Sequence, residues 1–179
     1  MNGEKMLTAV IERDLIIPEL QAKDKEGVIK EMASKFKKAE IIKNEDVFIK
    51  AVNTREALES TAIGGFIAIP HARSDTVMEL TVALGKSSQG IEFKSLDNKP
   101  VHLIFMIACP PSETKTYLQV LACIARLCKN EKIRKRLIKT KDMDKIMCFL
   151  EGFNIGFGKP EPVKLKNDKT KYTGTDSKK

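Results

Sequence analysis

The stretch GGFIAIPHARSD, residues 64–75, decides how the rest of the chain is interpreted. It contains a short apolar run, FIAI, followed at once by Pro70 and His71, and His71 is one of only two histidines in the chain. A short apolar run bounded by glycine and proline indicates a buried strand. Because proline interrupts the backbone hydrogen bonding of a strand, we expect His71 to lie at a strand end, with its side chain in a crevice.

Further strands and helices alternate on both sides of this stretch. ELTVALG (79–85) and VHLIFMIA (101–108) indicate buried strands separated by a turn at Asp97-Asn98, and LIIPEL (15–20) is a short extended candidate. Apolar residues at helical spacing predict five helices. These lie at 24–39, with Asp24 as N-cap, and at 45–58, 117–128, 131–139 and 142–150. Alternating helices and buried strands predict a single α/β domain.

Composition narrows the class of protein. The 179 residues suffice for one domain, and the chain is 42% hydrophobic without a window apolar enough for a membrane helix. Residues 1–14 lack a secretory pattern, so the sequence predicts a cytoplasmic protein. Of the net charge of +8, residues 159–179 contribute +4, and no recognition motif accompanies the remaining basic residues. We therefore expect no nucleic-acid partner.

The cysteines and loop motifs predict neither a metal nor a cofactor. Cys109, Cys123, Cys128 and Cys148 form no C-x-x-C pair, and only two histidines exist to complete a metal site. The sequence predicts reduced, structural thiols. No phosphate-binding loop or dinucleotide-binding glycine motif is present, which gives no support to a nucleotide site.

Polar and basic side chains close in sequence make His71 a candidate reactive residue. An exposed imidazole has a pKa of about 6.5 and is largely neutral and nucleophilic near neutral pH. Arg55 lies upstream, and Arg73 and Ser74 follow directly, where they could bind an oxyanion brought to the ring. His71 is thus a candidate nucleophile or general base, or a histidine that merely hydrogen-bonds a loop. His102, inside VHLIFMIA, is predicted to be a strand residue with a hydrogen-bonded ring.

The segment EALESTAIGGFIAIPHA (56–72) resembles the active-site signature of the mannitol/fructose-type enzyme IIA of the bacterial sugar phosphotransferase system. Every position of that signature is met, by Glu56, Ile63, Gly64, Ile67, Ala68, Ile69, Pro70, His71 and Ala72. An Arg55-Glu56 pair before the motif, a strand entry at 97–101 and the helix YLQVLACIARL extend the resemblance to roughly residues 6–151.

The resemblance implies a fold and a phosphoryl relay. The fold is an α/β mixed sheet of about five strands flanked by helices on both faces, in one domain at 5–152, followed by a polar tail or linker at 153–179. His71 would accept a phosphoryl group from the phosphocarrier protein HPr and pass it to an enzyme IIB component, which serves a membrane enzyme IIC. Arg55 would stabilise the phosphoryl oxygens, and the backbone amides of 64–66 are conjectured to add donors. Neither metal nor nucleotide cofactor is implied.

One departure from the family pattern concerns Tyr117. Family members commonly carry a second histidine at this point, and a phenol cannot offer it a positive charge near neutral pH. Three hypotheses stay open. The protein is a sugar-system phosphoryl carrier, a regulatory enzyme IIA-like protein of the nitrogen-related or transcription-control branch whose His71 phosphorylation state controls a partner, or a binding domain that is no longer phosphorylated.

Overall fold

A single mixed sheet forms the middle layer of the structure. A computed structural model describes residues 7–151. In this part of the chain six strands follow the order β1-β5-β6-β3-β2, with β4 also beside β6. Strand β6 is parallel to β3 and β4 and antiparallel to β5, while β1 is parallel to β5. The strands are β1 (Ile16–Ile17), β2 (Ala62–Gly64), β3 (Ile67–Ala68), β4 (His71–Arg73), β5 (Thr81–Ile91) and β6 (Val101–Cys109). The predicted fold class is confirmed.

Helices cover both faces of the sheet. Alternate residues of β6 face opposite layers: Leu103, Phe105 and Ile107 belong to one core cluster, and Ile104 and Met106 belong to the other. The first cluster packs against α3 to α5 and the second against α1 and α2. Burial on both faces explains why this strand is almost continuously apolar. The helices are α1 (Lys25–Lys38), α2 (Glu45–Leu58), α3 (Thr114–Lys129), α4 (Glu131–Lys139) and α5 (Met143–Glu151).

Side-chain caps fix where three of these helices begin. The predicted cap is confirmed, because the Asp24 carboxylate accepts a hydrogen bond from the Gly27 amide at 2.8 Å. Asn44 and Asn130 do the same for α2 and α4, each at 3.1 Å. A cap of this kind is worth about 1 kcal/mol, because it satisfies an amide that the helix leaves unpaired.

The short and irregular elements differ from the sequence-based expectations. Strands β2 and β4 have three residues each, too few for a hydrophobic period, and they were not predicted. Strand β5 continues to Ile91 rather than ending at 85, because its polar half remains in the sheet across a register shift after Lys86. Helix α3 begins at Thr114, behind a turn of 3-10 helix at Pro111–Glu113.

No helix within residues 7–151 is long and apolar enough to cross a membrane. The predicted tail at 153–179 lies outside the described residues.

Candidate functional site

The side chain of His71 is held by one hydrogen bond at each ring nitrogen. His71 is the first residue of β4, pairs with Ile107 and is half-buried. Its Nδ1 lies 2.8 Å from the carbonyl oxygen of Ile69, and Arg55 Nε donates to its Nε2 at 3.2 Å. Because the Arg55 Nε–H can only donate, Nε2 accepts, and the ring proton therefore sits on Nδ1 and is donated to Ile69. The lone pair of the imidazole is on Nε2, the nitrogen that faces Arg55.

The electrostatic surroundings keep this ring neutral near pH 7. Burial is the largest influence and lowers the pKa of His71 below its ordinary value of 6.5, and the positive charge of Arg55 lowers it further. The hydrogen bond to Ile69 and the negative charge of Glu56 act in the opposite direction without reversing the shift. A neutral imidazole keeps its lone pair available to an electrophile.

Arg55 is positioned by the C-terminal end of α2. Its Nη1 donates to the carbonyl oxygen of Glu59 at 3.0 Å, beside the bond from Nε to the histidine. The next residue, Glu56, is buried and accepts from the Thr61 amide at 3.0 Å and from the Thr61 hydroxyl at 2.6 Å. Lys25 Nζ lies 2.6 Å from the same carboxylate. The Glu56–Lys25–Thr61 network fixes the end of the helix that presents Arg55, and only the signature match hinted at it.

Tyr117 lies beside the histidine, as its sequence position suggested. The two ring centroids are 5.6 Å apart with an angle of 54° between the ring planes. Tyr117 comes from the first turn of α3 and is almost fully buried. Burial raises the pKa of its hydroxyl above the ordinary 10.0, against the lowering effect of the Arg55 and Arg73 charges. The hydroxyl is therefore protonated at neutral pH and can donate one hydrogen bond.

Arg73 and Ser74, the two polar candidates that follow His71 and Ala72 in the sequence, differ in position. The Arg73 Nη2 donates to the carbonyl oxygen of Pro111 and to the Thr114 hydroxyl, both at 2.8 Å, and the side chain faces the same groove as His71. The Ser74 hydroxyl instead lies 3.0 Å from the Thr76 hydroxyl, and Ser74 is buried. Of the two candidates named from the sequence, Arg73 is at the site and Ser74 is not.

These side chains share an open groove of about 620 Å³. Its lining is mixed, with cationic residues around the histidine and exposed apolar residues beyond them. Lys50, Val47 and Leu58 belong to it and have no signal in the sequence, because the fold alone brings the outer face of α2 to the histidine. A second groove, of about 660 Å³, runs along α1 and α2 and is lined by no histidine or cysteine.

The glycine turn does not serve the histidine, which corrects the conjecture about its amides. Gly64, Gly65 and Phe66 all have positive φ, at 86°, 61° and 71°, and the Gly65 amide donates to Asp97 Oδ2 at 2.9 Å. Strand β3, which follows the turn, pairs with Leu103, whereas His71 pairs with Ile107 four residues further along β6. At about 3.3 Å per residue the two places lie some 13 Å apart.

The remaining candidates have structural positions. His102 lies in β6 and its Nδ1 is 2.8 Å from the Ser87 carbonyl oxygen, which confirms the predicted hydrogen-bonded ring. The four cysteines are free thiols, three of them buried and Cys148 partly exposed. Within residues 7–151 no cluster of three or more histidine, cysteine or acidic side chains is arranged to bind a metal ion.

The site therefore consists of a neutral histidine with its lone pair against a guanidinium, on an open α/β sheet. Residues 9–152 match the family model described as phosphoenolpyruvate-dependent sugar phosphotransferase system, EIIA 2. The chain belongs to this family, as the resemblance of residues 56–72 indicated.

Curated relatives fall into two groups. The chain is 36% identical over 141 residues to the PTS system fructose-specific EIIABC component of Bacillus subtilis, covering 79% of the chain and 22% of that protein. It thus spans about a fifth of that relative. The chain is 32% identical over 135 residues to the PTS system fructose-specific EIIA component of Haloferax volcanii, a match that covers 75% of the chain and 88% of that protein. The chain is also 30% identical over 145 residues to the nitrogen regulatory protein of Bradyrhizobium diazoefficiens, a match that covers 80% of the chain and 94% of that protein.

Solved structures show the same fold. The nitrogen regulatory protein IIA-Ntr of Neisseria meningitidis matches with a TM-score of 0.75 at 24% identity, over 80% of this chain and 98% of that one. The structure of IIAMTL in complex with phosphorylated enzyme IIBMTL of Escherichia coli matches with a TM-score of 0.69 at 23% identity. The match covers 79% of this chain and 99% of that one.

Proposed function

We propose that this protein is a phosphoryl carrier that accepts a phosphoryl group on His71 from HPr and passes it to an enzyme IIB component for sugar uptake. The observation that carries the proposal is the state of the ring, because Nδ1 donates to Ile69 and only Nε2 has a lone pair. Phosphorylation therefore falls on Nε2. Enzyme IIB would in turn serve a membrane enzyme IIC.

The transfer needs positioning rather than covalent work by the protein. The Nε2 lone pair forms the new N–P bond, while the electron pair of the donor's broken N–P bond returns to the leaving nitrogen. The Arg55 Nε–H must first leave the lone pair, 3.2 Å away, and its guanidinium is then free to bind the phosphoryl oxygens. A loose transition state with charge spread over those oxygens is stabilised by such fixed donors. No step requires a metal ion or a nucleotide.

The exposed apolar residues of the groove support docking of protein partners. Leu58 is 81% exposed and Val47 46% exposed, and both lie in the groove with His71. Apolar groups next to a reactive centre favour a protein donor and acceptor. The names EIIABC and the IIAMTL–IIBMTL complex belong to other proteins, yet they support an enzyme IIB partner here.

A regulatory role is the second candidate. The nitrogen regulatory protein of Bradyrhizobium diazoefficiens matches 80% of this chain, as much as the fructose-specific relatives, and that of Escherichia coli is 31% identical over 133 residues. In this role the phosphorylation state of His71 would control the binding of a partner protein. We also propose a single domain at 5–152 and a cytoplasmic location, where the phosphoryl donors act.

The test uses purified enzyme I, HPr and phosphoenolpyruvate. The protein should gain one phosphoryl group, read by mass spectrometry under alkaline conditions that preserve phosphohistidine. His71→Ala should abolish the label, and His102→Ala, the matched control, should keep it. An unlabelled wild-type protein would instead support a binding domain without phosphorylation, and labelling of the His71→Ala variant would remove His71 from the role.

Adding candidate acceptors then separates the two roles. Loss of the label to enzyme IIB supports sugar uptake. A label that no enzyme IIB accepts, together with a partner bound in only one phosphorylation state, supports regulation.

A further inference from the structure

We propose that Arg73 is a second guanidinium ligand of the phosphoryl group carried by His71, on the side of the ring opposite Arg55. This inference rests on the proposed phosphorylation of His71. It gives Arg73 contact with the reacting group itself, in addition to its contacts with the start of α3.

The strand places Arg73 and His71 on the same side. In β4 the side chain of Ala72 is buried in the core cluster under α1 and α2, whereas its two neighbours are more exposed. Residues two apart in a strand share a face and lie about 6.6 Å apart along it. Both residues line the same groove, together with Arg55. A guanidinium on a long, flexible side chain spans this separation.

The guanidinium of Arg73 has unused donors. Its two hydrogen bonds, to the Pro111 carbonyl oxygen and the Thr114 hydroxyl, both come from Nη2. Within residues 7–151, the Nε–H and the two Nη1–H groups have no hydrogen-bond partner. Arg73 is exposed, so each of these donors can reach a phosphoryl oxygen singly, and a two-point fork forms when one Nη2 hydrogen bond is exchanged for a phosphoryl oxygen.

The charge of the phosphoryl group requires more than Arg55 provides. Three oxygens that share a charge of up to about −2 would project from Nε2 into the groove, where Tyr117 can donate one neutral hydrogen bond. Arg55 reaches Nε2 from α2, and the bonds of Arg73 hold it at the start of α3, the helix that carries Tyr117. Arg55, Arg73 and Tyr117 line the same groove, and the charges of both arginines lower the pKa of the Tyr117 hydroxyl. Two cations on different sides of the ring match the spread charge of the transition state.

A donor without a protein surface separates contact with the phosphoryl group from docking. Potassium phosphoramidate supplies one: the His71 Nε2 lone pair forms the N–P bond, and the phosphoramidate N–P bond breaks as its nitrogen leaves with a proton from solvent as ammonia. We expect Arg73→Gln to slow this single-turnover labelling about tenfold, equivalent to about 1.4 kcal/mol of transition-state stabilisation. Arg73→Lys keeps the charge but loses the planar set of guanidinium donors, so its rate should fall between that of wild type and Arg73→Gln.

Two matched controls exclude a purely structural effect. Thr114→Val removes one anchor of Arg73 and leaves its guanidinium, and Arg13→Gln removes an exposed arginine that pairs with Asp144, away from the groove. Both should keep the wild-type rate. In the phosphoproteins, a ³¹P NMR titration should move to higher pH in Arg73→Gln only, because a lost cation makes the second phosphoryl ionisation harder.

The outcomes keep the two proposals apart. Unlabelled wild-type protein contradicts the phosphorylation of His71. If wild type is labelled, a wild-type rate in Arg73→Gln or Arg73→Lys overturns the role of Arg73 alone. A loss of rate in Thr114→Val equal to that in Arg73→Gln, with coincident ³¹P titrations, assigns Arg73 to holding α3 and also overturns it.

Discussion

Replacing Tyr117 by phenylalanine isolates one hydroxyl group at the site. The phenyl ring keeps the contact with the His71 ring, whose centroid is 5.6 Å away, so packing of the first turn of α3 should be retained. The group removed is a donor that stays protonated at neutral pH, because burial raises its pKa. Any effect on transfer therefore reports a hydrogen bond to the phosphoryl group.

The size of the effect follows from the charge of the acceptor. A hydrogen bond between neutral groups contributes about 0.5–1.5 kcal/mol, and one to a charged group about 1.5–3 kcal/mol. Since about 1.4 kcal/mol corresponds to one decade in rate, Tyr117→Phe should slow phosphoryl exchange with HPr about tenfold. Tyr117→His introduces a ring that is partly protonated below about pH 7 and should match or exceed the wild-type rate there.

Rapid-quench measurement of exchange from about pH 6 to 8 tests both variants, with thermal unfolding as the check on folding. If Tyr117 only packs at the start of α3, Tyr117→Phe, which keeps the ring, should leave the exchange rate unchanged. Exchange rates equal to wild type at every pH, in both variants, would refute the reasoning and remove Tyr117 from the site.

Three further predictions concern the same region. Arg55→Lys should slow phosphorylation at a nearly unchanged melting temperature, because the charge remains and the fork is lost; unfolding would instead make Arg55 a structural residue. Glu56→Gln should cost about 2–3 kcal/mol in urea denaturation, since it leaves the Lys25 ammonium, only 27% exposed, without its partner; a cost below about 0.5 kcal/mol would contradict a structural role for the pair. The pKa of His71 is lowered from 6.5 in the folded protein, so below that pH the unfolded state binds more protons than the folded state. The contribution of His71 to the free energy of unfolding is therefore present above pH 6.5 and is lost as the pH falls through the folded-state pKa. His71→Gln should flatten that part of the stability–pH curve, and identical curves for both proteins would contradict the shift.

The elements with a strong periodic signal were predictable from the sequence. The five helices agree with the predicted segments to within a few residues, and the apolar run of 101–108 is the central strand β6. Strands β2 and β4 escaped prediction because a three-residue strand has no period of its own. They exist because β3 and β6 offer them backbone partners, which is tertiary information.

The site divides in the same way. The signature and the family resemblance predicted His71 and Arg55 as site residues, and the departure from the family pattern pointed to Tyr117; the structure brings these three side chains together. The sequence could not show that Nε2 faces Arg55, since that depends on the bond from Nδ1 to Ile69. It also suggested that the glycines serve the histidine, whereas the Gly65 amide is occupied by Asp97. The glycines and His71 are close in sequence, but the strand between them runs along β6 and carries His71 away from the glycine turn, which sequence spacing does not show.

The direction of the strands explains why the candidate site lies where it does. Strands β3, β4 and β6 run parallel, so the residues after β3 and those after β6 emerge at the same edge of the sheet. His71 follows β3, and α3 with Tyr117 follows β6 through Pro111–Glu113. Ligand sites in open α/β sheets generally form outside the carboxyl ends of strands, where loops and helix starts meet. The glycine turn precedes β3 at the other end, so substitutions there should affect folding and leave the chemistry of His71 unchanged.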